Sequence, residues 1–449
     1  MEPRVLIVSD LHLGAPESDS EAPLVAFLDH HLRQTPSWTL VVNGDGVDLF
    51  AVRVMPQDAG VIAGLSEDDH AYGLGSQERA AVAKLGVLLD RVPLAVAAIA
   101  RFVGAGHTLI FVAGNHDAEL AFSGAQDTVR AALVASWKSQ GGTTTDAVGS
   151  RIHFRPWFVI FPGTLWLEHG HQYDPYCSFD DPLSPASEGG ETDLNVDSAV
   201  MRYLVAGHAV TAKQWDGGFL GHIATLFSAG RAYDLAAGYC QMVRKLVGVW
   251  AYRLWGSGRT WRQRAARRKA LRAAASDARI PAAILGRIRG MHRPPLVNGL
   301  VPTLRAVMAD RLVAVVLVPV GVLIGAFVAG WTGAAVGAAA VLAIAGLVFS
   351  FSAESVDPRP NLRRAGRKIR RLLGVRYVIN GHTHAAESGS GVLNTGTWLP
   401  GLGPDGCTYV RFDHGRAELL RWTGTTSLPY ISSRAESVSL IRTIPVRDT

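Results

Sequence analysis

Five short blocks rich in Asp, Asn and His follow one another in this 449-residue chain. They are Asp10-Leu11-His12, Gly44-Asp45-Gly46-Val47-Asp48, Gly114-Asn115-His116-Asp117, His169-Gly170-His171 and Gly381-His382-Thr383-His384. Carboxylate, amide oxygen and imidazole are the ligand types that hold pairs of divalent metals, and such pairs cleave phosphate esters. A lone D-x-H or G-N-H-D is usually a surface loop, but five such blocks, each closing an apolar run, point to one site. Asp10, His12 and His384 are read as ligands of a first metal. Asn115, His169 and His382 are read as ligands of a second, with the Asp45 carboxylate bridging the two. A hydroxide held between the metals is the expected nucleophile, its pKa lowered by two positive charges. The metals also neutralise charge that grows on the phosphoryl oxygens. His116 is the expected stabiliser of the transition state or donor to the leaving oxygen. Asp48 is placed to orient and charge it.

These blocks have to be presented by alternating strands and helices. Residues 5–9, 39–42 and 109–113 read as buried strands, and Tyr377–Asn380 leads into the last block. Residues 158–160 and Leu165–Glu168 read as a strand pair turning at Pro162-Gly163, and 408–412 with 417–421 as a hairpin. Residues 23–34 and 77–103 read as helical, the second broken near Pro93, and 51–75 as a loop over the site. This alternation implies a layered α/β fold with ligands at the carboxyl ends of strands. His30 and His31 are expected on a helix surface. His107, His153, His208, His222 and His292 are expected to be structural.

The middle of the chain differs. Residues 182–190 are rich in Pro, Ser and Gly and read as a linker, and 194–291 as mostly helical. Trp250, Trp255 and Trp261 are interleaved with Arg259, Arg262, Arg264, Arg267, Arg268, Lys269 and Arg272. Such a run, just ahead of an apolar stretch, suits anionic headgroups better than nucleic acid. Residues 312–353 then hold 42 positions without a charge. A crossing helix needs about 20 residues, so this stretch is long enough to cross a bilayer twice, turning at Gly330-Trp331-Thr332-Gly333. Ligand blocks lie on both sides of it. If they build one site, both ends of the stretch lie on one face of the membrane. Its flanks are cationic: Arg287, Arg289, Arg293, Arg305 and Arg311 before, and Arg359, Arg363, Arg364, Arg367, Lys368, Arg370 and Arg371 after. The positive-inside rule places such flanks in the cytoplasm.

The expected organisation is therefore a first catalytic part over 1–181, a basic, Trp-rich helical insertion over 182–310, a two-helix transmembrane hairpin over 311–353, and a last catalytic part over 354–449. Apolar residues make up 48% of the chain, enough for a sizeable core, and the formal net charge is +6. The three cysteines are widely spaced with no C-x-x-C, which argues against a disulfide framework or a zinc knuckle. The N-terminus runs straight into the first strand without a basic-then-apolar leader, so no cleavable signal peptide is expected.

The five blocks resemble the calcineurin-like metallophosphoesterase family, whose pattern is D-x-H, G-D-x-x-D, G-N-H-[DE], a His near a strand end, and G-H-x-H. The resemblance covers residues 1–175 and 375–425. It implies a four-layer α/β/β/α sandwich, here with an inserted helical, membrane-associated region. It also implies two divalent metal ions, Mn²⁺ first with Fe or Zn as alternatives, a working pair of Asp48 and His116, and His169 rather than His171 as ligand. Within the family, Asn43-Gly44-Asp45 and the His-Gly block followed by an insertion are similar to the UDP-2,3-diacylglucosamine pyrophosphatases. Those enzymes cut a diphosphate in a lipid precursor beside a membrane, under a helical lid. The chain departs from them in His116, where that subgroup often has Arg, in a far longer insertion and in the apolar hairpin. The expected function is metal-dependent hydrolysis of a phosphoester or diphosphate bond in a lipid- or nucleotide-linked substrate, at the cytoplasmic membrane face. The alternatives are a nuclease of the same family and a membrane-anchored binding protein with a vestigial site. The sequence sets no oligomeric state.

Overall fold

The parallel strands that carry the first three blocks are continuous apolar runs because both of their faces are covered, the pattern of a parallel strand buried between layers. A computed structural model describes residues 2–15, 18–52, 65–184, 191–205, 232–255, 261–350 and 357–430. Residues 53–64 of the expected loop, 185–190 of the linker, His208, His222, Arg259 and the last residues of the apolar stretch lie outside the described residues.

The described residues form a mixed α/β fold with two mixed sheets. The strands are β1 (Val5–Val8), β2 (Thr39–Asn43), β3 (Thr108–Val112), β4 (Ile152–Arg155), β5 (Phe158–Phe161), β6 (Leu165–Glu168), β7 (Tyr377–Asn380), β8 (Ala386–Gly389), β9 (Val392–Thr395), β10 (Thr408–Asp413), β11 (Arg416–Trp422) and β12 (Ser427–Pro429). One sheet runs β12-β11-β10-β1-β2-β3-β4, the other β5-β6-β7-β9-β8. β1 pairs parallel with β2 and antiparallel with β10, Val5 lying opposite both Thr39 and Phe412. In the second sheet β7 lies parallel between β6 and β9.

Alternation along each strand sorts the core into separate clusters. Leu6, Val8, Leu40, Val42 and Leu109 pack against helices Glu21–His31, Glu78–Arg91, Pro93–Gly104 and Ser123–Ser139. The break at Pro93 falls where the sequence puts it. Val5, Ile7, Val41 and Val112 instead meet Val159, Leu165, Leu167, Ile379 and Leu393 of the second sheet. Trp166, Val378 and Val392 face the other way, under Leu362, Ala365 and Ile369 of helix Arg359–Leu373. That helix is more than a cationic flank: its apolar stripe closes this cluster while Arg364, Arg367, Lys368 and Arg371 stay exposed.

The inserted region contributes helices Val196–Val200, Ala232–Trp255, Trp261–Asp277, Ala282–Arg289 and Leu300–Ala306. The buried Asp181 carboxylate ties two of them down, with Arg289 at 3.1 Å and Arg267 at 3.5 Å. Residues Ala309–Ser350 follow as two helical arms that break at Ala329 and Gly330, the latter at φ 59°. Gly330 opens the segment where a turn is expected. The arms touch through glycines: a Cβ on Gly333 would collide with the Gly325 carbonyl, and one on Gly337 with the Gly321 carbonyl. Small residues four apart are what lets two helices approach this closely in an apolar medium. The outer faces carry Leu323, Ile324, Phe327, Trp331 and Val336, all exposed, with Phe327 and Trp331 at 93%. No single described helix is long and apolar enough to cross a membrane. The apolar stretch, bent by 118°, meets that test only when its two helical pieces are taken together.

Two expectations fail, the first within the expected loop over 51–75, where Glu67–Tyr72 forms a short helix capped by the Ser66 side chain. Second, His31 is not at the surface but buried against Phe27 and Trp38, its Nδ1–H donating to the Phe27 carbonyl at 2.9 Å. Burial outweighs that hydrogen bond and lowers its pKa from 6.5 to about 4. The folded state thus binds the proton less readily than the unfolded chain, so the stabilising effect of a neutral His31 is full above pH 6.5 and lost as pH falls towards 4. The span corresponds to ~3 kcal/mol. His31→Gln should therefore destabilise most near neutrality, with the deficit in thermal midpoint shrinking as pH falls. A deficit independent of pH would contradict this assignment.

Candidate metal centre

The ligand blocks converge because their loops are stitched together by backbone. Asp10 N–H donates to the Gly44 carbonyl at 3.1 Å, His12 N–H to Asp45 at 3.0 Å, and Gly381 N–H to His169 at 2.8 Å. Asp117, which closes the third block, accepts from Gly114 N–H at 2.6 Å and from Gly46 N–H at 2.7 Å, locking the second and third loops to each other. The glycines leave room for these approaches: a Cβ on Gly114 would strike the Asp45 carboxylate, and one on Gly44 the His169 ring.

Five of the expected metal ligands hold left-handed backbone. Asp10, His12, Asp45, His382 and His384 have φ between 46° and 72°. For a residue with a side chain this costs roughly 1–2 kcal/mol each, and backbone strain of this kind gathers where surrounding structure enforces a functional geometry. The strain aims the side chains inward. Asp10, Asp45 and His169 have ligand atoms within 4.8 Å of one another, as do Asp10, His12 and His384; His12, Asp45 and His116; and Asp174, Cys177 and His382.

The atoms that meet are mostly acceptors. His169 donates Nδ1–H to the Asn43 carbonyl at 2.9 Å, so in the neutral ring Nε2 is the nitrogen with a lone pair, and that atom lies 3.1 Å from Asp45 Oδ2. His12 Nε2 and His384 Nε2 are 3.2 Å apart, and His384 Nε2 is 3.3 Å from Asp10 Oδ1. Asn115 Oδ1 and His169 Nε2 are buried without a hydrogen-bond partner. Two imidazole nitrogens or an imidazole and a carboxylate this close require a proton or a cation between them. Donor atoms about 3 Å apart are also what octahedral metals with bonds of about 2.1 Å impose. The charges already lean this way. Burial by itself would raise the Asp45 carboxyl, but His169 and His116 hold it well below 3.8. Burial likewise opposes the His169 imidazolium, yet Asp45 and Asp10 push its pKa up to about 9.

All nine expected site residues lie in or against this centre. Asp10, His12, Asp45, Asp48, Asn115 and His169 are buried, while His384 leaves the centre partly open to solvent. Asp48 Oδ2 lies 3.1 Å from His116 Nδ1 and 3.4 Å from His12 Nδ1, so one carboxylate orients both rings. Burial opposes the His116 charge, but Asp48 and then Asp45 raise its pKa well above 6.5. His171 belongs to none of the four groups: it is buried, its ring paired with Gln172 at 3.1 Å and packed against Phe179.

Three further acids lie at this centre outside the expected set of site residues. Asp117 was readable as the last letter of its own block. Asp174, 3.1 Å from His382 Nε2, lies in the Tyr173-Asp174-Pro175-Tyr176 segment right after the fourth block. Asp197 stands far from every block, yet its Oδ2 accepts from Asn115 Nδ2 at 3.0 Å. No local pattern marks it beyond a helix start, where Asn195 and Ser198 cap each other.

Compared with protein-family models and with curated proteins, the chain finds no match.

Proposed function

We propose that this chain is a membrane-attached, dinuclear-metal phosphohydrolase of the calcineurin-like metallophosphoesterase type. The observation that carries the reading is the convergence of five blocks from both ends of the chain on one buried cluster of facing lone pairs, held by strained backbone. Helices outside each of two face-to-face sheets fit a four-layer α/β/β/α sandwich with an inserted region.

Asp10, His12 and His384 would hold a first cation, and Asn115, His169 and His382 a second. Asp45, whose Oδ2 faces His169 and whose block lies between the two sets, would bridge them. With His382 Nε2 engaged by Asp174, Nδ1 is the nitrogen left for a metal. When bound, two Mn²⁺ ions supply Lewis acidity that lowers the pKa of water and offsets charge on the phosphoryl oxygens. The protein's own groups do the rest. His116, charged by Asp48, carries a proton on Nε2 for the leaving oxygen, and Asp48 prevents its ring from turning away. The exposed apolar faces of the hairpin support insertion into a bilayer. Because ligands precede and follow the hairpin, it enters and returns on the same side, which the cationic flanks suggest is cytoplasmic. A phosphoester or diphosphate in a lipid- or nucleotide-linked molecule suits a centre so placed.

The reading is tested on full-length protein in detergent, stripped and reloaded with Mn²⁺. About two metals per chain and hydrolysis of bis(p-nitrophenyl) phosphate support it; neither metal uptake nor turnover of this ester or of a nucleotide-diphospho-lipid rejects it. His116→Gln should lower kcat by roughly 10²–10⁴-fold, the usual worth of a positioned acid, with metal content unchanged. The loss should be smaller for a p-nitrophenyl ester, whose leaving group needs no proton, than for an alkyl ester. Equal losses on both would remove His116 from the acid role.

A further inference from the structure

The inserted region does more than link catalytic segments to a membrane anchor. Its first described helix, Val196–Val200, presents Asp197 to the centre, with Oδ2 3.0 Å from Asn115 Nδ2 and 4.0 Å from His116 Nε2. A carboxylate oxygen only accepts, so it takes the amide N–H of Asn115 and repels the amide oxygen. That choice turns Asn115 Oδ1 the other way, where it is buried and has no partner in the protein. An amide oxygen is the atom of this side chain that a hard cation binds. A flipped amide would offer the cation an N–H instead.

We infer that Asp197 is a positioning residue for the second metal: by fixing the amide of Asn115, it makes the inserted region part of the metal site. The inference rests on the dinuclear reading above.

Asp197 is itself held from several sides. Asn195 Oδ1 accepts from Ser198 N–H at 2.8 Å, and Asn195 Nδ2 donates to the Cys177 carbonyl at 2.8 Å. Asp197 N–H donates to the Tyr176 carbonyl at 3.2 Å. The helix is thereby tethered to the segment that also carries Asp174, the partner of His382. The two acids thus approach two expected ligands of the same metal from outside the five blocks. Val196 and Ala199, beside Asp197, share one apolar cluster with Met242, Leu246 and Val297, and with Val307 and Ala309 at the base of the hairpin. The carboxylate's place is therefore set by the packing of the insertion rather than by the catalytic core alone.

Acids that orient metal ligands are typically worth 10–100-fold in affinity. The test is calorimetric titration of MnCl₂ into metal-free, full-length protein in detergent, with circular dichroism to establish folding. Asp197→Leu should weaken one of two Mn²⁺ sites by about 10–100-fold and leave the other within about twofold. Asp197→Asn retains an oxygen that can accept from Asn115 and should restore the weakened site to within about threefold of wild type. Two unchanged sites in folded Asp197→Leu protein would overturn the inference while leaving the dinuclear reading standing. An Asn variant as weak as the Leu variant would also overturn it, because the acceptor would then not be what matters. Wild-type protein that takes up no pair of Mn²⁺ would instead remove the dinuclear reading, and this inference with it.

Discussion

Asp45→Ala should lower kcat/KM by about 10⁴-fold or more, the ~5 kcal/mol scale on which bound metals stabilise a phosphoryl transition state. It should also reduce bound metal to one or fewer per chain. Asp45 Oδ2 lies 3.1 Å from His169 Nε2, and Oδ1 accepts the backbone N–H of His116 at 2.9 Å. The side chain therefore shapes a cluster of candidate ligands and the adjacent loop that carries His116 at once. Without its charge, two dications a few ångströms apart would face each other across a buried, weakly screening space. A smaller set of ligands cannot hold both. Elemental analysis and steady-state kinetics on the same preparation give both readouts. An Asp45→Ala protein with wild-type turnover would leave the proposed chemistry without its central group, whatever the metal content.

The second large effect concerns the hairpin. Ile324 and Val336 are exposed on its two arms. An acid at the centre of a membrane helix costs about 2.5–3.5 kcal/mol, and the lost Ile or Val a few tenths more, so Ile324→Asp with Val336→Asp should cost ~7 kcal/mol of insertion energy. Wild-type protein is expected to float with phosphatidylglycerol-containing vesicles in a density gradient, and the double variant to remain at the bottom. Hydrolysis of a water-soluble ester should stay within about twofold, since both side chains are exposed and neither belongs to one of the five blocks. Equal flotation of the two proteins would mean that the apolar faces are covered by something other than lipid, a partner chain for example.

What could be read in the sequence follows from how each element is stabilised. β1, β2 and β3 were legible because burial on both faces leaves an uninterrupted apolar run, and the ligands begin where that run stops. β4 was not: its Ile152-His153-Phe154-Arg155 has only Ile152 buried and hides among polar neighbours. β8, Ala386–Gly389, is equally polar and exists by pairing with β9. Helix Ser123–Ser139 buries only Ala125, Val129 and Leu133, a stripe too thin to stand out among Ser, Gln, Asp and Arg. Charge masked helix Arg359–Leu373, whose buried Leu362 and Ile369 are outnumbered by cations. His31 was misjudged because a neighbouring carbonyl, invisible to composition, satisfies its ring. The centre shows the same division. Groups that would touch a metal sit in motifs, because backbone and side chain must cooperate locally. Asp174 and Asp197 act across the fold and needed only to arrive there.

The pairing of β1 with β10 carries a consequence for how the molecule comes to exist. β1 leaves the ribosome well ahead of its neighbour on one side, Thr408–Asp413, which emerges some four hundred residues later. Until then an apolar strand waits with an open edge, the condition in which nascent chains stick to one another or recruit chaperones. The hairpin is made during that interval. The two apolar arms are therefore complete before the sheet can close, and His382 and His384 reach the centre only after those arms have been made, so the order of translation sets the order of assembly.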